Sequence, residues 1–218
     1  MLDNFDKILI INLDRRKDRW AMAMAELKQF IGANIERVPA IDHLTLSTLH
    51  SKKQTAQVAC TMSHLAALKK LQAAGPPLLG KFHLILEDDF HIAKGVCLDG
   101  LPLRWDMCFL GVNEHSPQLA QKTTAADLYR SFGATYTSHA YLVHHEFVPR
   151  LVDIVENHIK QWLTTNLPET PAIDVIYSYV AKEVYNHVYY MKPAAITQTP
   201  GLWSDIEFKQ VDYSAIIM

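Results

Sequence analysis

The tightest constraint on the fold is the largely apolar run Lys7-Ile8-Leu9-Ile10-Ile11-Asn12-Leu13, read as a strand, after which comes Asp14. A strand with one solvated face alternates apolar and polar residues, whereas a short unbroken apolar run suits a strand buried on both faces, as in a parallel sheet covered by helices. Asp14 offers an N-cap. Across residues 15–30, Trp20, Met24, Leu27 and Phe30-Ile31 recur at spacings of three and four, and Gly32 supplies a stop, so a helix is predicted there. Strand then helix opens a Rossmann-like unit.

The pattern continues. Residues 34–39 fit a short second strand, and residues 42–57 read as a polar loop with one helical turn at most. Residues 60–74 place Met62, Leu65, Leu68 and Leu71 on one helical face before Gly75-Pro76-Pro77. Phe82-His83-Leu84-Ile85-Leu86 is a strand that runs directly into Glu87-Asp88-Asp89, and residues 106–111 form another with a glycine exit. Residues 112–126 are polar and irregular. Two strands follow at 129–135 and 138–144, pictured as a hairpin, then an amphipathic helix at 146–158. Thr170-Pro171 caps and opens a helix running to about Val184. The last thirty residues read as a strand and an extended tail. With no internal repeat and no linker, the expectation is a single α/β domain of residues 1–218 with a mostly parallel central sheet.

Composition narrows the function classes. The 218 residues are 49% hydrophobic and 20% charged, and no stretch reaches the ~18 uninterrupted apolar residues that a membrane span needs, leaving at most peripheral membrane contact. The acidic N-terminus does not resemble a secretory signal, so the expectation is cytoplasmic residence. A net charge of −2 gives no global field to collect nucleic acid. Cys60, Cys97 and Cys108 are odd in number and lie among apolar neighbours, and they read as buried free thiols in preference to a disulfide or a zinc site.

Four constellations could carry chemistry. In the first, residues two apart on an extended chain point to one side about 6.6 Å apart, so Glu87 and Asp89 can converge on a hard cation while Asp88 faces away. A solvated acidic turn fits the triplet as well. In the second, Asn12-Leu13-Asp14-Arg15-Arg16-Lys17-Asp18-Arg19 joins a helix start to several basic side chains, and suits either a diphosphate or a surface of Arg–Asp pairs. In the third, Cys60-Thr61-Met62-Ser63-His64 opens the helix at 60–74, where Ser63 would cap it and His64 could reach a ligand. In the fourth, Asp174 in a helix's first turn is either a dipole partner or a general base. No glycine-rich dinucleotide or Walker signature is present. A metal-dependent phosphoester hydrolase or nucleotidyltransferase, and a non-catalytic nucleotide- or glycan-binding module, remain rival readings.

Taken together these segments resemble glycosyltransferase family 25, the lipopolysaccharide-biosynthesis and collagen β-galactosyltransferase family. The likeness runs, in order, through residues 11–19, Cys60-Thr61-Met62-Ser63-His64, Ile85-Leu86-Glu87-Asp88-Asp89, the strand at 106–111, Ser138-His139-Ala140-Tyr141-Leu142-Val143, Pro171-Ala172-Ile173-Asp174, and Gln198 through Ser204-Asp205-Ile206. The resemblance implies a GT-A fold and an inverting transfer of a hexose from a UDP-sugar to a glycan or lipooligosaccharide acceptor. It also implies Mn2+ or Mg2+ held by Glu87 and Asp89, and a division into a nucleotide-binding half (1–111) and an acceptor-side half with a C-terminal tail (112–218). Donor contacts are expected from Asn12, Leu13, Arg15, Arg16, Arg19, Thr61, Ser63, His64 and Asp88. His139 and Tyr141 would lie on the acceptor side, Asp174 would act as the base, and Gln198, Ser204 and Asp205 would belong to a tail closing over the donor.

Overall fold

The structure, a computed structural model, describes residues 7–28, 34–47, 51–75, 82–93, 100–125, 127–165, 172–183, 187–204, 206–207 and 209–211. In chain order the elements are β1 (Ile8–Asn12), α1 (Lys17–Leu27), β2 (Ile35–Pro39), α2 (Lys52–Ala74), β3 (Phe82–Glu87), β4 (Phe90–Ile92), β5 (Met107–Phe109), β6 (Asn113–Glu114), β7 (Ala120–Lys122), β8 (Leu128–Ser131), β9 (Thr135–Tyr136), β10 (Ala140–His144), α3 (Val148–Thr165), α4 (Ile173–Lys182), β11 (Val188–Met191), β12 (Ile196–Gln198), β13 (Leu202–Ser204) and β14 (Lys209–Val211).

The expected α/β class holds. An eight-stranded sheet runs in the order β2-β1-β3-β10-β5-β11-β8-β7, and its strands point mostly one way. The exceptions are β10, antiparallel to both β3 and β5, and β8, antiparallel to β11 and β7. The unbroken apolar run of β1 is explained by its two faces. Leu9 and Ile11 enter a core with Leu68 and Leu71 of α2, Leu151 and Val155 of α3, and Ile176 and Val180 of α4. Ile8 and Ile10 enter a second core with Ala23 and Leu27 of α1, Phe90 and Ile196. Fully burying one such side chain contributes roughly 1.5–3 kcal/mol, so a polar residue on either face of β1 would be costly.

Several local expectations are corrected. Asp14 does not cap α1. A turn closed by Arg16 N–H donating to the Leu13 carbonyl (2.9 Å) delays the helix to Lys17, the cap position falls on Arg16 with no side-chain bond, and Asp14 pairs with Arg37 at 2.6 Å. Helix α2 starts at Lys52, eight residues before Cys60, because Ser51 Oγ accepts from Gln54 N–H (3.2 Å) and good helix formers follow. Residues 42–57 therefore hold a short 3₁₀ turn, His43–Thr45, and the first turns of α2. Gly75 ends α2 with φ +75°, a conformation that favours glycine. Strands β8 and β10 are not a hairpin: β10 crosses to lie between β3 and β5, so the two halves of the chain interleave. The irregular stretch 112–126 contains β6 and β7, and the C-terminal stretch supplies β11 to the large sheet and β12 to a pair with β4. Phe30, Ile31, Gly32, Pro76, Pro77, Cys97, Thr170, Pro171 and Asp205 lie outside the described residues.

Candidate active site

A cavity of about 320 Å³ opens where β1, β3 and β5 end, within the ~300–1,000 Å³ range usual for small-molecule sites. The middle of α2, the acidic turn after β3, the segment leading into β10, the first turn of α4, and β12 with Ser204, Ile206 and Glu207 wall it. Ligands in open α/β sheets bind at strand carboxyl ends, which is the position of this cavity.

The acidic triplet forms its floor, although the extended-chain argument does not describe it. Strand β3 stops at Glu87, and Asp88 and Asp89 occupy the turn into β4. Both Asp88 oxygens are engaged within the protein, Oδ1 accepting from Arg19 at 3.0 Å and Oδ2 from Asn12 at 2.6 Å, all three side chains being buried. Glu87 Oε1 accepts from Ser138 Oγ at 2.6 Å and meets His64 Nε2 at 3.3 Å. Asp89 Oδ2 accepts from Gln198 Nε2 at 3.3 Å, while the Asp89 carbonyl accepts from Thr199 N–H at 2.7 Å. Asp89 Oδ1 is buried with no hydrogen-bond partner among the described residues.

The electrostatics of the two outer carboxylates oppose each other. Burial acts to raise Glu87, but the hydrogen bonds and charge of His64 and the Ser138 bond outweigh it and hold Glu87 at about 2. Asp89 is pushed up to about 7 by burial and by the Glu87 charge, against the pull of Arg19. A buried carboxylate with a free lone pair beside two more carboxylates is a fit for a hard divalent cation, which would satisfy the bare oxygen and remove the repulsion.

These shifts give a pH signature for the metal-free protein. Asp89 holds its proton more tightly folded than unfolded, so its contribution to stability is full below about pH 4 and is lost as pH rises through about 7. Glu87 has the opposite sign, contributing above about pH 4.5 and losing that contribution as pH falls through about 2. Melting temperature measured in chelator should therefore fall between pH 4 and 7, and Asp89→Asn should flatten that fall. An unchanged slope in the variant would count against the assignment.

The other candidate residues divide clearly. Leu13, Arg19, Ser63, His64, Asp88, His139, Asp174, Gln198 and Ser204 line the cavity with Glu87 and Asp89. Arg15 pairs with Asp42 at 2.6 Å and Arg16 with Asp18 at 2.8 Å, and neither is on the cavity wall. Their acidic partners are the second of the two readings left open for the basic segment. Asn12 works behind the wall, holding Asp88. Ser63 is not an N-cap. From mid-helix its Oγ donates to the Ala59 carbonyl (2.7 Å) and accepts from Ile41 N–H (2.8 Å), tying α2 to the loop after β2. Thr61 is buried and bonded to the Gln57 carbonyl, away from the cavity. Tyr141 is fully buried, its hydroxyl lying between His64 Nδ1 (3.1 Å) and Tyr177 Oη (2.8 Å), so it supports His64 from behind.

His139 is buried, with Nε2 3.2 Å from the Ile196 carbonyl and Nδ1 2.5 Å from Thr137 Oγ1, and burial lowers its pKa. A Cβ on Gly111 would sit 1.9 Å from that carbonyl and 2.5 Å from His139 Nε2, so only glycine admits this contact between β12 and the strand ends. Asp174, in the first turn of α4, is raised above the ordinary carboxylate range by burial, against a 2.9 Å bond from Val175 N–H. Ser204 Oγ accepts from Glu207 N–H at 3.0 Å, and Glu207 meets Lys53 at 2.8 Å, fastening the tail to the start of α2. Sequence reasoning missed Cys60, which lies on the cavity wall and not wholly in the core. The signal was its four-residue spacing from His64 on a helix.

No family model and no curated protein matches the sequence. Solved structures do. A glycosyltransferase involved in the glycosylation of the major capsid of PBCV-1 is similar over 92% of this chain and 95% of its own, at 10% identity and a TM-score of 0.49. Drosophila β1,4-galactosyltransferase 7, solved with manganese, UDP-Gal and xylobiose, is similar over 66% of this chain and 51% of its own, at 10% identity and a TM-score of 0.36. No helix among the described residues is long and apolar enough to cross a membrane.

Proposed function

We propose that this chain is a metal-dependent glycosyltransferase of the family 25 type, with a GT-A fold, moving a hexose from a UDP-sugar onto a glycan or lipooligosaccharide hydroxyl with inversion. The observation that carries this reading is the buried Oδ1 of Asp89, unpartnered among the described residues, beside Glu87 on the floor of a cavity at the strand ends. Glu87 and Asp89 would hold Mn2+ or Mg2+, which when bound supplies a Lewis acid that offsets charge growing on a leaving diphosphate. Within the chain, Ser138 and His64 fix the Glu87 carboxylate and Gln198 fixes that of Asp89. Arg19 and Asn12 hold the Asp88 carboxyl in place behind them. Asp174, made more basic by burial, takes the proton from the acceptor hydroxyl.

Titration calorimetry of UDP-, GDP- and CMP-sugars with and without manganese tests the reading. Manganese-dependent binding confined to UDP-sugars is expected, with release of UDP on adding acceptor. Release of a monophosphate or pyrophosphate would instead favour phosphoester or nucleotidyl chemistry, and binding without turnover over a broad donor panel would favour a non-catalytic module.

Asp174→Asn is expected to lower kcat on the order of 10²-fold while leaving UDP-sugar affinity unchanged. A weakened affinity at constant kcat would assign Asp174 to donor binding and remove it as the base.

A further inference from the structure

The α2 wall of the cavity carries a second donor set of different chemistry. Cys60 and His64 are four residues apart on α2 and share a helical face. His64 Nε2 is 3.3 Å from Glu87 Oε1, and one ligand atom from each of Cys60, His64 and Glu87 lies within 4.8 Å of the others. Ligand atoms around tetrahedral zinc, bound at about 2.0–2.3 Å, stand roughly 3.3–3.8 Å apart, so small side-chain rotations close the set.

We propose that Cys60, His64 and Glu87 form a binding site for a thiophilic divalent ion, zinc being the biological example. Thiolate and imidazole select zinc over manganese and magnesium, which prefer an all-oxygen set. The surroundings of His64 are those of a metal-bound imidazole. With Nε2 on the ion, Nδ1–H faces the Tyr141 hydroxyl at 3.1 Å, and Tyr141 is held in turn by Tyr177 at 2.8 Å, all three side chains being buried. Three protein ligands leave a fourth position for water, and the Cys60 thiol gives its proton to solvent as the ion enters. Because Glu87 belongs to both donor sets, zinc here withdraws a carboxylate from manganese and weakens manganese-assisted nucleotide binding. That consequence, unlike the site itself, rests on the proposed function.

The test is a cobalt titration of the full chain without nucleotide, followed in the near-ultraviolet and visible, with zinc added to displace cobalt. The expected result is a thiolate-to-cobalt charge-transfer band saturating at one ion per chain, abolished by zinc and lost in Cys60→Ser. Zinc affinity, measured against a chromogenic chelator, should fall at least ~10-fold in Tyr141→Phe, which keeps the ring and removes the hydroxyl. In the wild type alone, zinc should slow alkylation of Cys60 read by peptide mass spectrometry, a measurement that does not depend on any variant folding. Absence of both the band and the protection overturns the site, as does a band that survives in Cys60→Ser and His64→Gln. One equivalent of zinc should also weaken manganese-assisted UDP binding in the wild type. Zinc bound with UDP binding unaltered overturns the antagonism. Zinc bound by a protein that takes up no UDP supports the site and sinks the transferase reading.

Discussion

In the Asp89→Asn variant, manganese-assisted UDP binding is expected to disappear while the fold survives, and sugar transfer is expected to fall by about 10³-fold or more. The size follows from the several kcal/mol that a Lewis acid contributes to a developing diphosphate charge. Asparagine keeps the volume of the side chain and an oxygen for Gln198, but removes the charge that the cation would meet. It also removes a buried carboxylate that Glu87 and Asp88 disfavour. The metal-free variant should therefore be at least as stable as the parent at neutral pH, while being inactive. That combination separates a ligand from a structural residue, because losing a structural partner lowers both properties together. Glu87→Ala should abolish the same binding. Calorimetry with circular dichroism checks the pair, and unchanged UDP affinity in both variants would remove the metal assignment.

Arg19→Ala is expected to have the largest effect on stability, about 3–5 kcal/mol by urea denaturation. Arg19 and Asp88 have side chains only 8% exposed and lie 3.0 Å apart, with Asp89 3.8 Å from the same guanidinium nitrogen. Truncation leaves two buried carboxylates without that cation, and the cost is the desolvation of the uncompensated charge more than the loss of the pair itself. Arg19→Ala with Asp88→Asn should recover part of the loss. A single-variant loss below about 1 kcal/mol would show that water reaches the pair freely.

The parts of the fold that could be read from sequence are those whose signal is local. β1 and β3 declare themselves because Ile8 through Ile11 and Leu84 through Leu86 are buried on both faces. The start of α2 was hidden because this helix buries Thr55, Thr61, Ser63 and His64, so its inward face carries polar letters. Strand direction leaves no local mark, and the reversal of β10 between β3 and β5 was invisible. That Glu87 and Asp89 would lie together at the strand ends, where the cavity opens, was legible from their place after an apolar strand. The partners of Arg15, Arg16 and Arg19 lie 27, 2 and 69 positions away, and sequence spacing could not say which of these cations would face the cavity. Tyr141 was named for the wrong side of the wall, since alternation along a strand fixes a face but not whether that face meets a cavity or a helix.

The crossing of β10 has a bearing on biogenesis. A nascent chain released at Gly111 would hold β3 and β5 without the strand that separates them, leaving one edge of β3 and both edges of β5 open to intermolecular pairing. On the ribosome the sheet cannot close until residues 140–144 have emerged, and a shortened recombinant piece ending before them should aggregate.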